Sequence, residues 1–275
     1  MPSSRGSSAT CSSSELTFAY RRGRTVLARS RMEAPTTVVR PFALADGRQL
    51  VQLITLGPGF CGGDTVRLRI TSEEGAGVVV TTTAATRVLS MSGDLHASQD
   101  IEINAARGAT VEYYPAVTIP FPDSAFVQTV RVEADPGARV GVMETWALGR
   151  TARGEYLDFR SLSSRTSLRV AGRLSYADAT ELHPRTDPLR GVGVLAGRRY
   201  LATGFWYGDT PPDESADGAS SGDLLIAFAQ SRPGLAFLRA LASDAPALDA
   251  RLRRLTDRIA AAWRQAPVSL DRFRC

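Results

Sequence analysis

The segment LGPGFCGGDTV, residues 56–66, holds the residues whose types and spacing most clearly suggest chemistry. Four glycines surround a single cysteine, Cys61, and the segment continues into Asp64. Glycine clusters of this kind hold phosphates in nucleotide-binding proteins, because their backbone N–H groups can approach a ligand closely. The segment therefore raises three possibilities: a phosphate loop, a metal-binding turn, or a bend between β-strands.

Lysine is absent from the whole chain, and this excludes the phosphate loop. All 33 of the Lys and Arg residues are arginine. A Walker-type loop ends in Gly-Lys-Ser/Thr, and its lysine reaches the terminal phosphates. Here Asp64 follows the glycines and would repel them. Schiff-base chemistry is excluded as well, because it requires a lysine amine.

Other catalytic and metal-binding motifs are also missing from the sequence. The only histidines, His96 and His183, fall in predicted loops and are too few for a histidine-rich zinc centre. Neither G-x-S-x-G nor H-E-x-x-H occurs. The cysteines Cys11, Cys61 and Cys275 lie far apart, which fits neither a disulfide framework nor a CxxC metal site. None of these patterns describes an active site.

Composition and charge are those of a globular protein with a basic balance. The 275 residues are 43% hydrophobic and 22% charged, with a net charge of +5. The arginines are not interleaved with aromatic residues and no apolar run could span a membrane, so we expect neither nucleic acid nor membrane as a partner. The Ser-rich residues 1–14 lack the apolar core of a secretory signal and predict a disordered leader on a cytoplasmic protein. Residues 15–275 predict a single domain, with residues 208–223, rich in Pro, Gly and Ser, forming a surface loop.

An internal repeat gives the strongest indication of the fold. TVRLRITSEEGAGVVVTTT, QDIEINAARGATVEYYP and QTVRVEADPGARVGVMETW each contain an alternating strand, a glycine turn and a second strand. The turn glycines Gly75, Gly108 and Gly137 are about thirty residues apart. A weaker fourth turn lies at Gly172, and Gly23 marks a further hairpin near the N-terminus.

The two arms of each repeat differ in their apolar pattern. First arms such as residues 66–70 alternate apolar and polar side chains, which indicates a strand with one solvent-exposed face. Second arms such as residues 78–80 are continuously apolar and indicate strands buried on both faces. Hairpins of one design should stack and share a core. We predict a mainly β fold, a layered, mostly antiparallel and solenoid-like stack of β-hairpins, with ordinary β-sandwich hairpins as the alternative.

Helices are expected only in a small C-terminal part, residues 233–265. SRPGLAFLRALASD predicts a short helix, and the next segment predicts a longer one with Asp244 as its N-cap and Pro246 in its first turn. Apolar side chains from Leu248 to Trp263 recur on one face, while Arg251 projects elsewhere. This face predicts packing on the same domain, with binding of a partner as the alternative.

Acidic residues fall in or beside the repeats and could line a polar channel. Asp64 ends the glycine segment, and Glu112 and Glu144 lie in second arms. Acids that point inward along stacked strands would form such a channel, whereas acids at strand ends that face solvent are the simpler alternative. A histidine with Cys61 and carboxylates could also hold a metal ion loosely.

Taken in order, these motifs resemble the urease accessory protein family UreD, also called UreH. The resemblance rests on the Gly-Gly-Asp turn, on the Thr-Thr-x-Ala-Ala-Thr-Arg run that ends at Arg87, and on Tyr-x-Pro-x-x-x-Ile-Pro-Phe from Tyr113 to Phe121. It covers about residues 15–275. The resemblance implies a non-enzymatic chaperone of many β-strands with a small helical part.

The same resemblance implies partners and cargo. It implies binding to urease apoprotein and assembly with UreF and the GTPase UreG, which together deliver nickel to the urease active site through a water-filled passage. It also implies that no cofactor is held tightly and that Ni²⁺ is in transit. The missing nucleotide motif fits GTP hydrolysis on a partner.

The resemblance also selects candidate residues. Ni²⁺ accepts oxygen and nitrogen ligands, and transit needs contacts weak enough to release it. The candidates for the nickel passage are Asp64, Glu144 and Glu112. The candidates for contact with UreF, with core packing as the competing explanation, are Tyr113, Tyr114, Phe121 and Trp263. Two other functions stay open: a ligand- or carbohydrate-binding β-repeat domain, and an enzyme that uses Cys61.

Overall fold

Two stacked β-sheets and one α-helix form the part of the chain that the computed structural model describes, residues 9–208 and 222–268. A 3₁₀ turn spans Thr151–Arg153. The strands and the helix are β1 Cys11–Arg21, β2 Arg24–Arg31, β3 Thr36–Val38, β4 Phe42–Ala43, β5 Gln49–Thr55, β6 Thr65–Ser72, β7 Gly77–Thr82, β8 Thr86–Val88, β9 Ala97–Ala105, β10 Thr110–Tyr113, β11 Thr118–Pro120, β12 Ala125–Ala134, β13 Arg139–Ala147, β14 Ser161–Val170, β15 Arg173–Leu182, β16 Tyr200–Tyr207, β17 Leu224–Arg232, β18 Leu235–Ala242 and α1 Ala245–Ala262.

The two sheets divide the strands between them. Sheet A has seven strands in the order β15-β14-β12-β9-β6-β1-β2. Sheet B has eleven strands in the order β17-β18-β16-β13-β10-β7-β5-β3, with β4, β8 and β11 joined to its side. The outer face of sheet A carries ion pairs between neighbouring strands, such as Arg69 with Glu102. Its inner face packs on sheet B.

Each repeat places its two arms in opposite sheets. The first arms β6, β9 and β12 pair in parallel in sheet A, and the second arms β7, β10 and β13 pair in parallel in sheet B. In all three turns an alanine N–H donates to the carbonyl three residues earlier, and the preceding glycine has a positive φ that a β-turn of this kind requires. The mainly β, layered and solenoid-like fold is confirmed. The expectation that the two arms pair with each other as an antiparallel hairpin is wrong for these repeats.

The apolar pattern of the arms explains this arrangement. First arms bury residues such as Leu68 and expose their neighbours, such as Arg67. Second arms are buried on both faces: in β10, Val111 and Tyr113 face sheet A, whereas Glu112 lies on the other side. A strand with two buried faces must have other elements packed above and below the sheet. The other arm of a hairpin pairs edge to edge with the strand and therefore covers neither face.

True hairpins occur at Gly23 and Gly172, as expected, where β1 pairs with β2 and β14 with β15. Strand β1 begins at Cys11, so residues 11–14 of the expected leader are ordered, and that part of the prediction is wrong. The reason is that β1 also pairs in parallel with β6, and Ser14 Oγ accepts a hydrogen bond of 3.0 Å from the backbone N–H of Glu33. Residues 1–8 and most of the expected surface loop, 209–221, lie outside the described residues.

The expected short helix in SRPGLAFLRALASD is a strand, and so the helical part begins only at Ala245. This segment forms β18, which pairs in antiparallel fashion with β16 and β17. Alanine and leucine are strong helix formers, but propensity is a weak determinant, and pairing between two other strands overrides it.

Helix α1 confirms the prediction of its start and of its apolar face. Asp244 Oδ2 accepts from the N–H of Ala247 at 2.9 Å, and Pro246 lies in the first turn. Its buried side chains pack on the outer face of sheet B, against Tyr114, Trp206 and others. Arg251 is also buried, contrary to expectation. Within residues 9–208 and 222–268, no helix has the length and apolar character that crossing a membrane requires.

Gly141 should be required where β13 passes beneath this cluster. A Cβ at Gly141 would lie 2.5 Å from Tyr114 Oη and 2.9 Å from Trp206 Cδ1, and both side chains are buried. We expect Gly141→Ala to lower the free energy of unfolding by about 1–3 kcal/mol because it overpacks the core, as measured by urea unfolding. The control is Gly191→Ala, whose Cβ would contact only the Pro188 carbonyl oxygen, at 3.5 Å. An equal effect of both changes would contradict the argument.

Candidate functional site

The glycine segment is a close backbone contact rather than a ligand cradle. Phe60 donates its N–H to the Arg87 carbonyl at 2.8 Å and forms an isolated parallel bridge with Val88 of β8. Gly59 has a φ of +142°, and a Cβ there would stand 2.4 Å from the Arg87 carbonyl oxygen. The glycines thus serve the bend between strands, the third of the possibilities raised by the sequence.

Asp64 fastens three segments of chain together. Its Oδ1 accepts from the N–H of Thr10 at 2.8 Å, and its Oδ2 accepts from the N–H of Cys61 at 2.7 Å. Its own carbonyl accepts from the N–H of Ser98 at 2.7 Å. Both carboxylate oxygens are therefore engaged with backbone donors, and binding of a metal ion by Asp64 would compete with these bonds.

Cys61 lies in an environment that does not favour nucleophilic chemistry. Cys61 is partly buried, and burial together with the nearby Asp64 carboxylate raises the pKa of its thiol. A raised pKa keeps the thiol protonated at neutral pH, whereas a nucleophilic cysteine needs a lowered one. His96 and His183 are exposed in loops, as expected.

Glu112 lies on the face of sheet B that α1 covers, and it is fully engaged. Its carboxylate forms a buried ion pair with Arg48 and accepts a hydrogen bond from Tyr114. Tyr114 Oη in turn accepts from Trp206 Nε1 at 2.8 Å. Burial raises the pKa of Glu112, and the guanidinium of Arg48 works against that rise. Arg48 also contacts Asp46, so the network reaches the loop before β5.

Glu144 lies on the opposite face of sheet B and is only half engaged. It points between the two sheets, where its Oε2 accepts a hydrogen bond of 3.2 Å from Thr166 of β14. Its Oε1 is buried and has no hydrogen-bond partner among the described residues. Burial is the largest cause that raises the pKa of Glu144 to about 7, and the charge of Asp178 adds to the rise.

A line of polar side chains crosses the inner face of sheet A beside Thr166, the residue that bonds Glu144. On β14 this line passes through Ser164, two residues before Thr166 on the same face. In register across six strands stand Ser12, Val66, Gln99, Gln128, Ser164 and Thr180. Val66 alone interrupts this polar line. On the same strand, Phe126 lies two residues before Gln128 and Val130 lies two residues after it. Phe126 belongs to one apolar cluster and Val130 to another. The line therefore separates the apolar interior into two parts.

Sheet B contributes a matching row. Glu144, Thr203 and Arg239 stand side by side on β13, β16 and β18. Val142 and Trp146, on either side of Glu144, belong to the same two apolar clusters. We call the two rows together the polar layer, which consists of Ser12, Gln99, Gln128, Ser164 and Thr180 of sheet A and of Glu144, Thr203 and Arg239 of sheet B.

The three predicted passage residues do not come together. Asp64 ends the glycine segment, Glu112 faces helix α1, and Glu144 faces sheet A, so only Glu144 belongs to the polar layer. In the described part of the chain, no three His, Cys, Asp or Glu side chains are grouped so that they could hold a metal ion. The layer thus offers hydroxyls, amides and one free carboxylate oxygen rather than a tight metal cage.

The sequence carried a signal for the polar layer that the motif analysis missed. First arms alternate strictly, yet Gln99, Gln128 and Ser164 stand at positions where the alternation calls for an apolar residue. A buried amide or hydroxyl at the same place in successive repeats indicates a polar interior.

Comparison with known proteins identifies the family. The sequence matches the family model described as UreD urease accessory protein over residues 11–275. The chain belongs to the UreD family. A urease accessory protein UreD from Deinococcus radiodurans is 35% identical over 246 residues, which is 89% of this chain and 88% of the relative.

Two further members of the UreD family extend the comparison. A urease accessory protein UreD 1 from Synechococcus sp. is 38% identical over 219 residues, which is 79% of this chain and 81% of the relative. A urease accessory protein UreD from Actinomyces naeslundii is 30% identical over 241 residues, covering 84% and 86% of the two chains. The resemblance inferred from the motifs is thus confirmed.

In this member of the UreD family, three of the four expected UreF contacts are core residues. Tyr113, Tyr114 and Trp263 are each only 2% exposed. Phe121 is partly exposed and lies beneath the guanidinium of Arg150, 4.4 Å from its ring centre. Core packing, the competing explanation, therefore accounts for Tyr113, Tyr114 and Trp263.

Asp64→Asn should destabilise the protein, because an amide can accept only one of the two backbone hydrogen bonds at 2.7 and 2.8 Å. We expect a loss of about 1–3 kcal/mol in the free energy of unfolding, measured by urea unfolding. Asp94→Asn, at an exposed loop position, is the control and should change little. Equal stability of wild type and Asp64→Asn would contradict the fastening role.

Glu144→Gln should change how stability depends on pH. The folded pKa of about 7 lies above the ordinary 4.5, so the folded state keeps a proton that the unfolded chain releases, and stability falls as pH rises through that window. We expect the advantage of Glu144→Gln over wild type to grow by up to about 3 kcal/mol between pH 5 and pH 8. Urea unfolding at each pH measures it, with the exposed Glu181→Gln as control. A difference that stays constant with pH would refute the burial argument.

Proposed function

We propose that this chain is a urease accessory protein that passes Ni²⁺ to urease apoprotein through the polar layer, in a complex with UreF and UreG. Membership in the UreD family supports the accessory role. The polar layer supports the idea that the chain itself forms part of the path of the metal ion.

The observation that carries this proposal is the free carboxylate oxygen of Glu144. A buried carboxylate without full compensation is costly, and a side chain of similar size without the charge would be more stable at this position. Glu144 Oε1 has no partner among the described residues, while Thr166 bonds only the other oxygen. A cation that passes between the sheets would supply the missing interaction.

The composition of the polar layer suits transit rather than storage. Ni²⁺ exchanges among oxygen ligands more readily than it leaves a set of thiolates and imidazoles. Gln99, Gln128 and Ser164 offer neutral oxygens on one side, and Glu144 offers the charge on the other. Because burial brings the pKa of Glu144 to about 7, an arriving cation would displace its proton and find a carboxylate, and a returning proton would favour release.

The proposed partners are compatible with what the chain lacks and with what it exposes. With no lysine and no Walker-type loop, GTP hydrolysis belongs to UreG. We place the UreF contact on the exposed side of α1, which includes Arg254, since three of the four aromatic candidates are buried. The proposal also includes a cytoplasmic location, which cell fractionation would check.

Urease activation in cells tests the proposal. Urease structural proteins are co-expressed with all accessory proteins, and this chain is supplied as wild type, as Glu144→Gln or as Gln128→Leu with Ser164→Ala. We expect omission of the chain to abolish activation. We expect the layer variants to lower urease activity and the nickel content of purified urease about tenfold, because each removes ligands of the path, while UreF still co-purifies with the chain.

Matched controls separate the path from the fold. Thr129 lies on the same strand as Gln128 but on the outer face of sheet A, so Thr129→Val is the first control. The second control, Glu181→Gln, replaces an exposed carboxylate. Both should activate urease as wild type does. Full activation by both layer variants at normal protein levels would remove the polar layer from the path of nickel.

A further inference from the structure

The polar layer opens to solvent where the two sheets end, and an ion pair spans that opening. Arg239 of β18 in sheet B donates from Nη2 to Asp178 Oδ1 of β15 in sheet A at 2.5 Å. Strand β15 is the last strand of sheet A on this side. The Asp178 side chain is 24% exposed and that of Arg239 is 47% exposed, so the pair stands at the boundary between the layer and water.

Glu144 lies directly behind this ion pair. Asp178 stands opposite Thr166 in the register of β15 with β14, and Thr166 bonds the Glu144 carboxylate. Thr203 stands between Glu144 and Arg239 in sheet B. The carboxylates of Glu144 and Asp178 and the hydroxyls of Thr166 and Thr203 thus belong to neighbouring positions just inside the opening. The more exposed guanidinium of Arg239 bonds Asp178 at the edge of this group.

The charges of these groups influence one another. The charge of Asp178 contributes to the raised pKa of Glu144. Burial is the main cause of the raised pKa of the neighbouring Tyr176; Asp178 and Glu144 add to it, whereas Arg239 opposes it. The guanidinium therefore already compensates negative charge at the place where a metal cation would do so.

We propose that Arg239 is a displaceable counter-ion that closes this edge of the polar layer by holding Asp178, and that a divalent cation opens it by replacing the guanidinium. The cation would bind between the carboxylates of Asp178 and Glu144, with the hydroxyls of Thr166 and Thr203 beside them. That the cargo is Ni²⁺ rests on the function proposed above. No covalent step is involved.

The energetics favour such an exchange. Half-exposed ion pairs stabilise a protein only weakly, so freeing Arg239 from Asp178 costs little. A long arginine side chain can keep its aliphatic part on the protein while its charged end moves into water. A doubly charged cation between two carboxylates gains more than the single guanidinium, which reaches Asp178 from the solvent side.

Nickel binding by the purified chain tests the exchange. Full-length protein without an affinity tag is titrated with NiCl₂ by calorimetry at pH 7.5, with no urease or accessory protein present. Arg239→Gln removes the competitor, and we expect the affinity for Ni²⁺ to rise about three- to fivefold. Arg239→Lys keeps a charge and should stay close to wild type. Asp178→Asn should weaken binding about tenfold or more.

Control variants show whether the gain in affinity for Ni²⁺ is specific to the loss of Arg239. Arg165→Gln breaks an exposed ion pair of 2.7 Å with Glu181, which also lies on β15, and it should leave the affinity for Ni²⁺ unchanged. Glu144→Gln added to Arg239→Gln should cancel the gain. Thermal unfolding confirms that each variant is folded.

An unchanged or weaker affinity in folded Arg239→Gln would overturn the proposal, and so would an equal gain in Arg165→Gln. The result is independent of urease activation. If Arg239→Gln binds Ni²⁺ more tightly but the layer variants activate urease fully, the proposed path fails and the counter-ion role stands. If activation depends on the layer but Arg239→Gln changes nothing, only the counter-ion role fails.

Discussion

Sheet B is covered on both of its faces, and the rest of the structure depends on this constraint. Its central strands β7, β10 and β13 are almost entirely buried. One face therefore needs sheet A and the other needs helix α1. The turns at Gly75, Gly108 and Gly137 carry the chain from the half-exposed sheet to the buried one, so the arms of a repeat separate and like arms pair in parallel. Any polar group on the buried strands must find its partners inside the protein.

Glu112 and Glu144 show two outcomes of that requirement. Each is about 3% exposed on a central strand of sheet B, but they face opposite sides. Glu112 has Arg48 and Tyr114, so its charge is compensated on the side where α1 and the C-terminal segment pack. Glu144 has one hydroxyl. The requirement that a buried charge be compensated is met at Glu112 and is not met at Glu144. Violations of this kind are expected at functional positions.

The sequence was sufficient for the repeats, for the solvent-exposed side of each first arm and for helix α1, because these depend on local periodicity and capping. It was insufficient for strand pairing, since alternation shows which face is wet but not which strand lies beside it. The role of Asp64 depends on Thr10, which is 54 residues away. The segment from Leu235 to Ala242 has helical composition, and only its two neighbouring strands make it β18.

The candidate site was partly accessible in the same way. Glu144 could be selected as an acid inside a buried arm, but Glu112 has the same sequence pattern. Only the structure shows that Arg48 compensates the charge of Glu112 and that no cationic side chain does so for Glu144 among the described residues. The sequence of a buried strand does not reveal on which face a positive charge lies. Asp178 and Arg239 lie 61 residues apart on strands of different sheets, so no motif joins them. The polar positions of the first arms were visible as breaks in alternation, and they become informative only when the register places them in one line.

Parallel, in-register stacking is what turns those single positions into a continuous feature. When like arms pair without a shift, a residue stands beside its equivalent in the next repeat, as Gln99 stands beside Gln128 and Gln128 beside Ser164. One polar residue per repeat then forms a continuous row across the sheet, because neighbouring strands are about 4.8 Å apart. An antiparallel stack of hairpins would send alternate arms in opposite directions and would break that equivalence. The pairing that periodicity could not reveal is thus the property that lets an apolar sandwich contain a polar layer reaching its edge.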